Sequence, residues 1–138
     1  VVVEETEIAR FANHGVDVQP AASVLLSIKD CRIRNNGVTG VYVVAGNVMI
    51  DSSSVVGNGN AGVDAVGGSA VVLVSKSDVS MNGRGLRVSG NGTIRMTHND
   101  IIFNTVYAWE NAGGTIETHV DNRVRGNTFG ALTTVQYP

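Results

Sequence analysis

The feature that most restricts this chain is a repeat. A unit of the form [Ile/Val]-x-x-Asn returns at Ile33…Asn36, Val55…Asn58, Val79…Asn82, Ile101…Asn104 and Val124…Asn127, with successive anchors 22, 24, 22 and 23 residues apart. Counting back 25 residues from Ile33 reaches Ile8, a first copy in which Phe11 stands where Asn is expected. Self-similarity at such a period marks a stack of supersecondary units, none of which can bury its apolar side chains alone.

The neighbouring positions fall into the same frame. Two residues before each anchor stand Thr6, Cys31, Ser53, Ser77, Asn99 and Asn122, all small or polar. Five before stand Val3, Ile28, Ile50, Val74 and Met96, then His119; seven before stand Val1, Leu26, Val48, Val72 and Ile94, then Glu117. Six or seven after comes glycine, at Gly15, Gly40, Gly62, Gly85 and Gly130, while the fifth coil offers Tyr107. A short alternating segment follows the glycine: Val16-Asp17-Val18, Val41-Tyr42-Val43, Val63-Asp64-Ala65, Leu86-Arg87-Val88. Alternation with period two puts the first and third residues inward and the middle one outward.

Composition agrees with a stack of short strands. The chain holds 24 Val and 8 Ile against 5 Leu, and 17 Gly. Branched side chains suit a pleated surface, and glycine and asparagine supply turns with positive φ. The expected fold is an all-β parallel β-helix, a single domain over residues 1–138, with about six coils of 22–25 residues and three parallel sheets. Asn36, Asn58, Asn82, Asn104 and Asn127 are expected to stack as one ladder at a tight corner, with Cys31, Ser53, Ser77 and Asn99 as a second ladder. A leucine-rich repeat would need recurring Leu, and an immunoglobulin-like sandwich would not keep one template through the whole chain.

The totals exclude several functions. A net charge of −2 argues against a nucleic-acid surface, and no apolar run is long enough to insert in a membrane. Cys31 is the single cysteine, so no intramolecular disulfide forms, and a buried inert thiol is the expected state. His14, His98 and His119 fall at different template positions and make no metal-ligand spacing; neither a metal nor another cofactor is expected. His119 occupies an inward-type position, which predicts either a hydrogen-bonded core residue or a register slip. The start at Val1-Val2-Val3 predicts a removed leader or a segment of a longer protein, with another subunit or missing cap over the first coil.

With these residues aligned, the stretch Leu26-Ser-Ile28-Lys-Asp-Cys31-Arg-Ile33-Arg-Asn-Asn36-Gly-Val-Thr-Gly40-Val41-Tyr-Val43 resembles the coil of right-handed parallel β-helix proteins of the pectate-lyase-like superfamily. The resemblance covers essentially the whole chain and implies right-handedness. It also implies a secreted or extracytoplasmic location and a polysaccharide as partner. The group spans lyases, glycosidases, esterases, adhesins and phage depolymerases. The lyase Arg-x-Pro motif is absent, because the only prolines are Pro20 and Pro138. The polygalacturonase Asn-Thr-Asp, Asp-Asp and Gly-His-Gly motifs are absent as well.

One outward column has convergent chemistry: Asp17, Tyr42, Asp64 and Arg87, continued by Tyr107 or Trp109 depending on register. Carboxylates accept hydroxyl protons, an aromatic face stacks on a pyranose ring, and arginine grips a uronate carboxylate at two points. Asp17 and Asp64 lie two rungs apart, about 10 Å at ~4.8 Å per rung, close to the separation of an inverting acid/base pair. The plainer reading is a solvated face with an Asp64–Arg87 pair. Trp109 is either part of a surface patch or a packing plug. The other outward column, Ser27, Met49, Leu73, Arg95 and Thr118, has no such convergence. Two functional classes follow: a glycan-binding or glycan-processing module, and a structural or display module without ligand or catalysis.

Overall fold

In a computed structural model, residues 1–20, 23–128 and the strand 135–136 are described, and among them there is no helix. The strands run β1 (Val2–Glu4), β2 (Glu7–Ala9), β3 (Val16–Val18), β4 (Leu25–Lys29), β5 (Arg32–Arg34), β6 (Thr39–Asp51), β7 (Ser54–Val56) and β8 (Ala61–Ser75). They continue with β9 (Asp78–Ser80), β10 (Arg84–Ser89), β11 (Thr93–Thr97), β12 (Asp100–Ile102), β13 (Tyr107–Ala112), β14 (Thr115–Thr118), β15 (Arg123–Arg125) and β16 (Val135–Gln136). Among the described residues every strand pairing is parallel and joins strands about one repeat apart.

Three faces result. The anchors build the second face, a six-stranded sheet in the order β15-β12-β9-β7-β5-β2, where Ile8, Ile33, Val55, Val79, Ile101 and Val124 stack in register. The first face carries β1, β4, β11, β14, β16 and the second halves of β6 and β8; the third carries β3, β10, β13 and the first halves of β6 and β8. Where three separate sheets are expected, hydrogen bonding joins the third and first faces into one ten-stranded sheet. The reason is that β6 and β8 turn this corner unbroken, with a register shift between Val43 and Ala45. The stack makes about five turns, slightly fewer than the six coils expected, since the six anchors enclose only five repeats.

The core is one continuous column of Val, Ile and Leu with Met96 and Trp109, and it includes Ile28, Ile33, Ile50, Leu86, Ile94 and Ile101. Both expected ladders are present at its corners. Oδ1 of Asn58 accepts from the Asn36 backbone N–H at 3.1 Å, and the relation repeats for Asn58 to Asn82, Asn82 to Asn104 and Asn104 to Asn127. At the other corner the backbone N–H of Cys31 donates to Ser53 Oγ, that of Ser53 to Ser77 Oγ, and that of Ser77 to Asn99 Oδ1. The residue before each ladder position has positive φ: Asp30, Ser52, Lys76 and His98 at one corner, Asn35, Gly57, Met81 and Phe103 at the other. The left-handed residue turns the chain inward, and the ladder side chain then supplies an acceptor that a turning backbone lacks.

Two sixth-coil assignments need correction. Met96 pairs with Thr118 and Arg95 with Glu117, so Thr118 is the inward residue and Glu117 the outward one. His119 is exposed, as an extra residue lies between the inward position and the Val124 anchor. The register slip is the correct alternative and the core histidine is not. Gly130 lies outside the described residues.

Candidate functional site

The third face brings the expected column together in register: Asp17 beside Tyr42, Tyr42 beside Asp64, and Asp64 beside Arg87. The fifth member differs from expectation. Arg87 pairs with Glu110, while Tyr107 pairs with Arg84 and Trp109 with Leu86. Ala108, fully buried, takes the place that Gly85 holds one rung above, so the next outward residue falls at 110. Trp109 is 7% exposed and belongs to the core, which makes it the packing plug rather than a surface patch.

The column is held by ion pairs along the stacking direction. Arg87 Nη1 lies 3.1 Å from Asp64 Oδ2, and its Nε lies 3.3 Å from Glu110 Oε2. Arg84 Nε also binds Glu110 Oε2, and Arg84 Nη1 donates to Asn60 Oδ1 at 2.8 Å. Glu110 therefore sits between two guanidinium groups, and Arg87 between two carboxylates. Toward the first coil, the rings of Tyr42 and His14 stack with centroids 4.3 Å apart and planes 5° apart. Asp17 accepts from Gln19 Nε2 at 2.8 and 3.0 Å.

Asp64 is 2% exposed, and its Oδ1 has no hydrogen-bond partner. Burial pushes its carboxyl pKa above the ordinary value; Arg87, by charge and hydrogen bond, pulls the other way without offsetting it, and Glu110 adds to the rise. Asp17, two rungs away, is exposed and bound to its own neighbour Gln19, so the two carboxyls sit in unlike surroundings. The groups gathered on this face are an aromatic stack, two partly exposed guanidinium groups and their carboxylate partners, held on the strand lattice.

Sequence reasoning missed His14, Arg84, Asn60 and Glu110. A signal for two of them was present, because the residue before each glycine forms a further aligned column: His14, Thr39, Ala61, Arg84 and, before Ala108, Tyr107, of which Thr39 and Ala61 are buried. The first face holds a second feature, an apolar depression of about 210 Å³ lined by Leu25, Asn47, Val48, Met49, Val71 and Leu73. Cys31 is buried, and its thiol contacts the carbonyl oxygens of Val3 and Lys29. Among the described residues no three His, Cys, Asp or Glu side chains are grouped to hold a metal ion.

Comparison with known proteins agrees with this architecture. A scan against protein families matches "Right handed beta helix region" over residues 1–79. Comparison with curated proteins and with solved structures finds no match. Stacked parallel coils, two corner ladders and a family match over more than half its length show that the chain belongs to the right-handed β-helix family.

Proposed function

We propose that this β-helix module binds an acidic polysaccharide along its third face, outside the cytoplasm and without cleaving it. The observation that carries the reading is the in-register column Asp17, Tyr42, Asp64, Arg87 and Glu110, headed by the Tyr42–His14 stack and flanked by Arg84. Its rungs repeat at about 4.8 Å, roughly the length of a sugar residue, so an extended glycan laid along the stack meets a new group at each step. In this reading Arg84 and Arg87 take uronate carboxylates in exchange for Glu110, and Tyr42 stacks on a ring.

The test is an array of acidic and neutral glycans, followed by Tyr42→Ala combined with Arg87→Ala in the best binder. Loss of one charged hydrogen-bonded contact and one stacking surface lowers affinity by roughly tenfold to hundredfold. Unchanged affinity with an intact fold removes this face from consideration. A second reading, a structural or display module with no ligand, is favoured by the ion pairs that Asp64, Arg87, Glu110 and Arg84 already make with one another. An array blank for every acidic glycan decides for it.

A further inference from the structure

The chain contains four Asn-Gly steps, at Asn36-Gly37, Asn58-Gly59, Asn82-Gly83 and Asn91-Gly92. Glycine leaves its own backbone nitrogen free to approach the preceding side-chain carbonyl, since it carries no Cβ to block the way. The fold treats the four steps in two ways.

Three belong to the ladder. Asn36, Asn58 and Asn82 are buried, and the Oδ1 of each accepts a backbone N–H from the coil above, from Phe11, Asn36 and Asn58 respectively. Their Nδ2 groups are bound as well: Asn36 and Asn58 donate to the next asparagine at 2.9 Å, and Asn82 donates to Val55 O at 2.9 Å. The following glycine nitrogens are tied to the coil above: Gly37 to Phe11 O, Gly59 to Asn36 O and Gly83 to Asn58 O. Cyclisation at any of them requires two coils to separate.

Asn91 is different. It is exposed, at the corner between the third and first faces, and no described residue hydrogen-bonds its side chain. The corner is a tight turn with φ of +56° at Gly90 and +68° at Asn91, closed by a 3.0 Å bond from Gly92 N to Ser89 O. That last bond lies within the turn, so it opens without unstacking the helix. The geometry also dictates the dipeptide. Positive φ at position 91 suits asparagine or glycine, and a Cβ on Gly92 would lie 2.5 Å from Ala65 O.

We propose that Asn91 is a spontaneous modification site, deamidating through a cyclic imide while the ladder asparagines stay intact. The Gly92 nitrogen attacks Cγ of Asn91 and forms a C–N bond. The Cγ–Nδ2 bond breaks, and the amide leaves as ammonia, the Gly92 proton being passed on through solvent. Water then opens the five-membered ring at either carbonyl, leaving aspartate or isoaspartate at position 91. Either product adds one negative charge. Isoaspartate also adds a methylene to the backbone, at a corner where a Cβ on Gly90 would already meet Val66 O at 2.0 Å. The modification therefore loosens the stacking of β10 and β11 on their neighbours as the protein ages.

The experiment is peptide mapping with isoaspartate detection, on folded protein and on protein unfolded in urea, both held in warm, mildly alkaline buffer. The folded protein is expected to convert at Asn91 and to convert at Asn36, Asn58 and Asn82 at least roughly tenfold more slowly, from the two or more hydrogen bonds that each must first break. In urea all four convert at similar rates. Asn91→Gly, which keeps the positive φ, abolishes the folded-state reaction. Asn91 surviving in folded protein over the time in which it converts in urea overturns the proposal. So does ladder conversion in folded protein at the rate of Asn91.

Discussion

Replacing Asn82 by alanine tests the ladder where it is most buried. The side chain is 0% exposed and makes four hydrogen bonds. Its Oδ1 accepts from the backbone N–H and the Nδ2 of Asn58, each at 2.9 Å, and its Nδ2 donates to Val55 O at 2.9 Å and Asn104 Oδ1 at 3.3 Å. After Asn82→Ala the Asn58 backbone N–H has lost its acceptor inside the protein, and Val55 O has lost this side-chain donor. A buried polar group left unpaired costs about 1–3 kcal/mol. The Nδ2 of Asn58 can turn in part toward other acceptors, so the sum is about 2–4 kcal/mol. Asn127→Ala removes the same kind of contacts to Asn104 at the last, partly exposed rung, where water replaces them, and costs about 1 kcal/mol or less. The measurement is a urea titration of parent and both variants at equal slope. An Asn82→Ala effect under about 0.5 kcal/mol, or one no larger than that of Asn127→Ala, refutes the reasoning.

Three further outcomes follow from the same geometry. Gly85→Ala places a Cβ 2.4 Å from Ala108 O and 2.9 Å from Asn104 Nδ2, and should destabilise by about 1–3 kcal/mol, whereas a neutral result in the same titration would mean that the coils separate freely. Asp64 has a folded pKa above its unfolded one, mainly from burial, so the folded state holds the extra proton and stability falls as pH rises from the ordinary carboxylate range through the raised value. Asp64→Asn should flatten that segment of a stability-versus-pH profile, with Arg87, Glu110 and Arg84 still in place; an unchanged shape contradicts it. Asp51, lowered chiefly by its hydrogen bond from Ser75, and Asp121, lowered chiefly by the His98 backbone N–H, give the opposite slope at lower pH in both proteins. Finally, among the described residues β1 and β2 end their sheets and β3 pairs with β6 alone, so the 138-residue chain should self-associate through these edges; light scattering that reports a monomer at all concentrations counts against it.

The features that repeat were legible in the amino-acid order alone. The anchors from Ile8 to Val124, the inward columns and both ladders recur at a period the eye can align, because a stacked coil must place the same residue type at the same height to bury it or bond it. Even the exception at Phe11 falls where the pattern puts it, its backbone N–H donating to Asn36 Oδ1 like every other rung. Tertiary structure decided whatever depends on neighbours outside the template. Ala108 fills the glycine's place seven residues after Ile101, as Gly62 does after Val55, which makes Glu110 rather than Tyr107 or Trp109 the outward partner of Arg87, and an extra residue before Val124 sent His119 to the surface. Glycine and alanine both fit a tight corner, so a register that rests on that corner is ambiguous in sequence and settled only by strand pairing. The burial of Asp64, the sharing of Glu110 by two arginines and the stacking of His14 on Tyr42 depend on side chains reaching across rungs, at separations of 23 to 28 residues along the chain. Periodicity fixes which rung a residue occupies; only packing decides which way a long side chain leans once it is there.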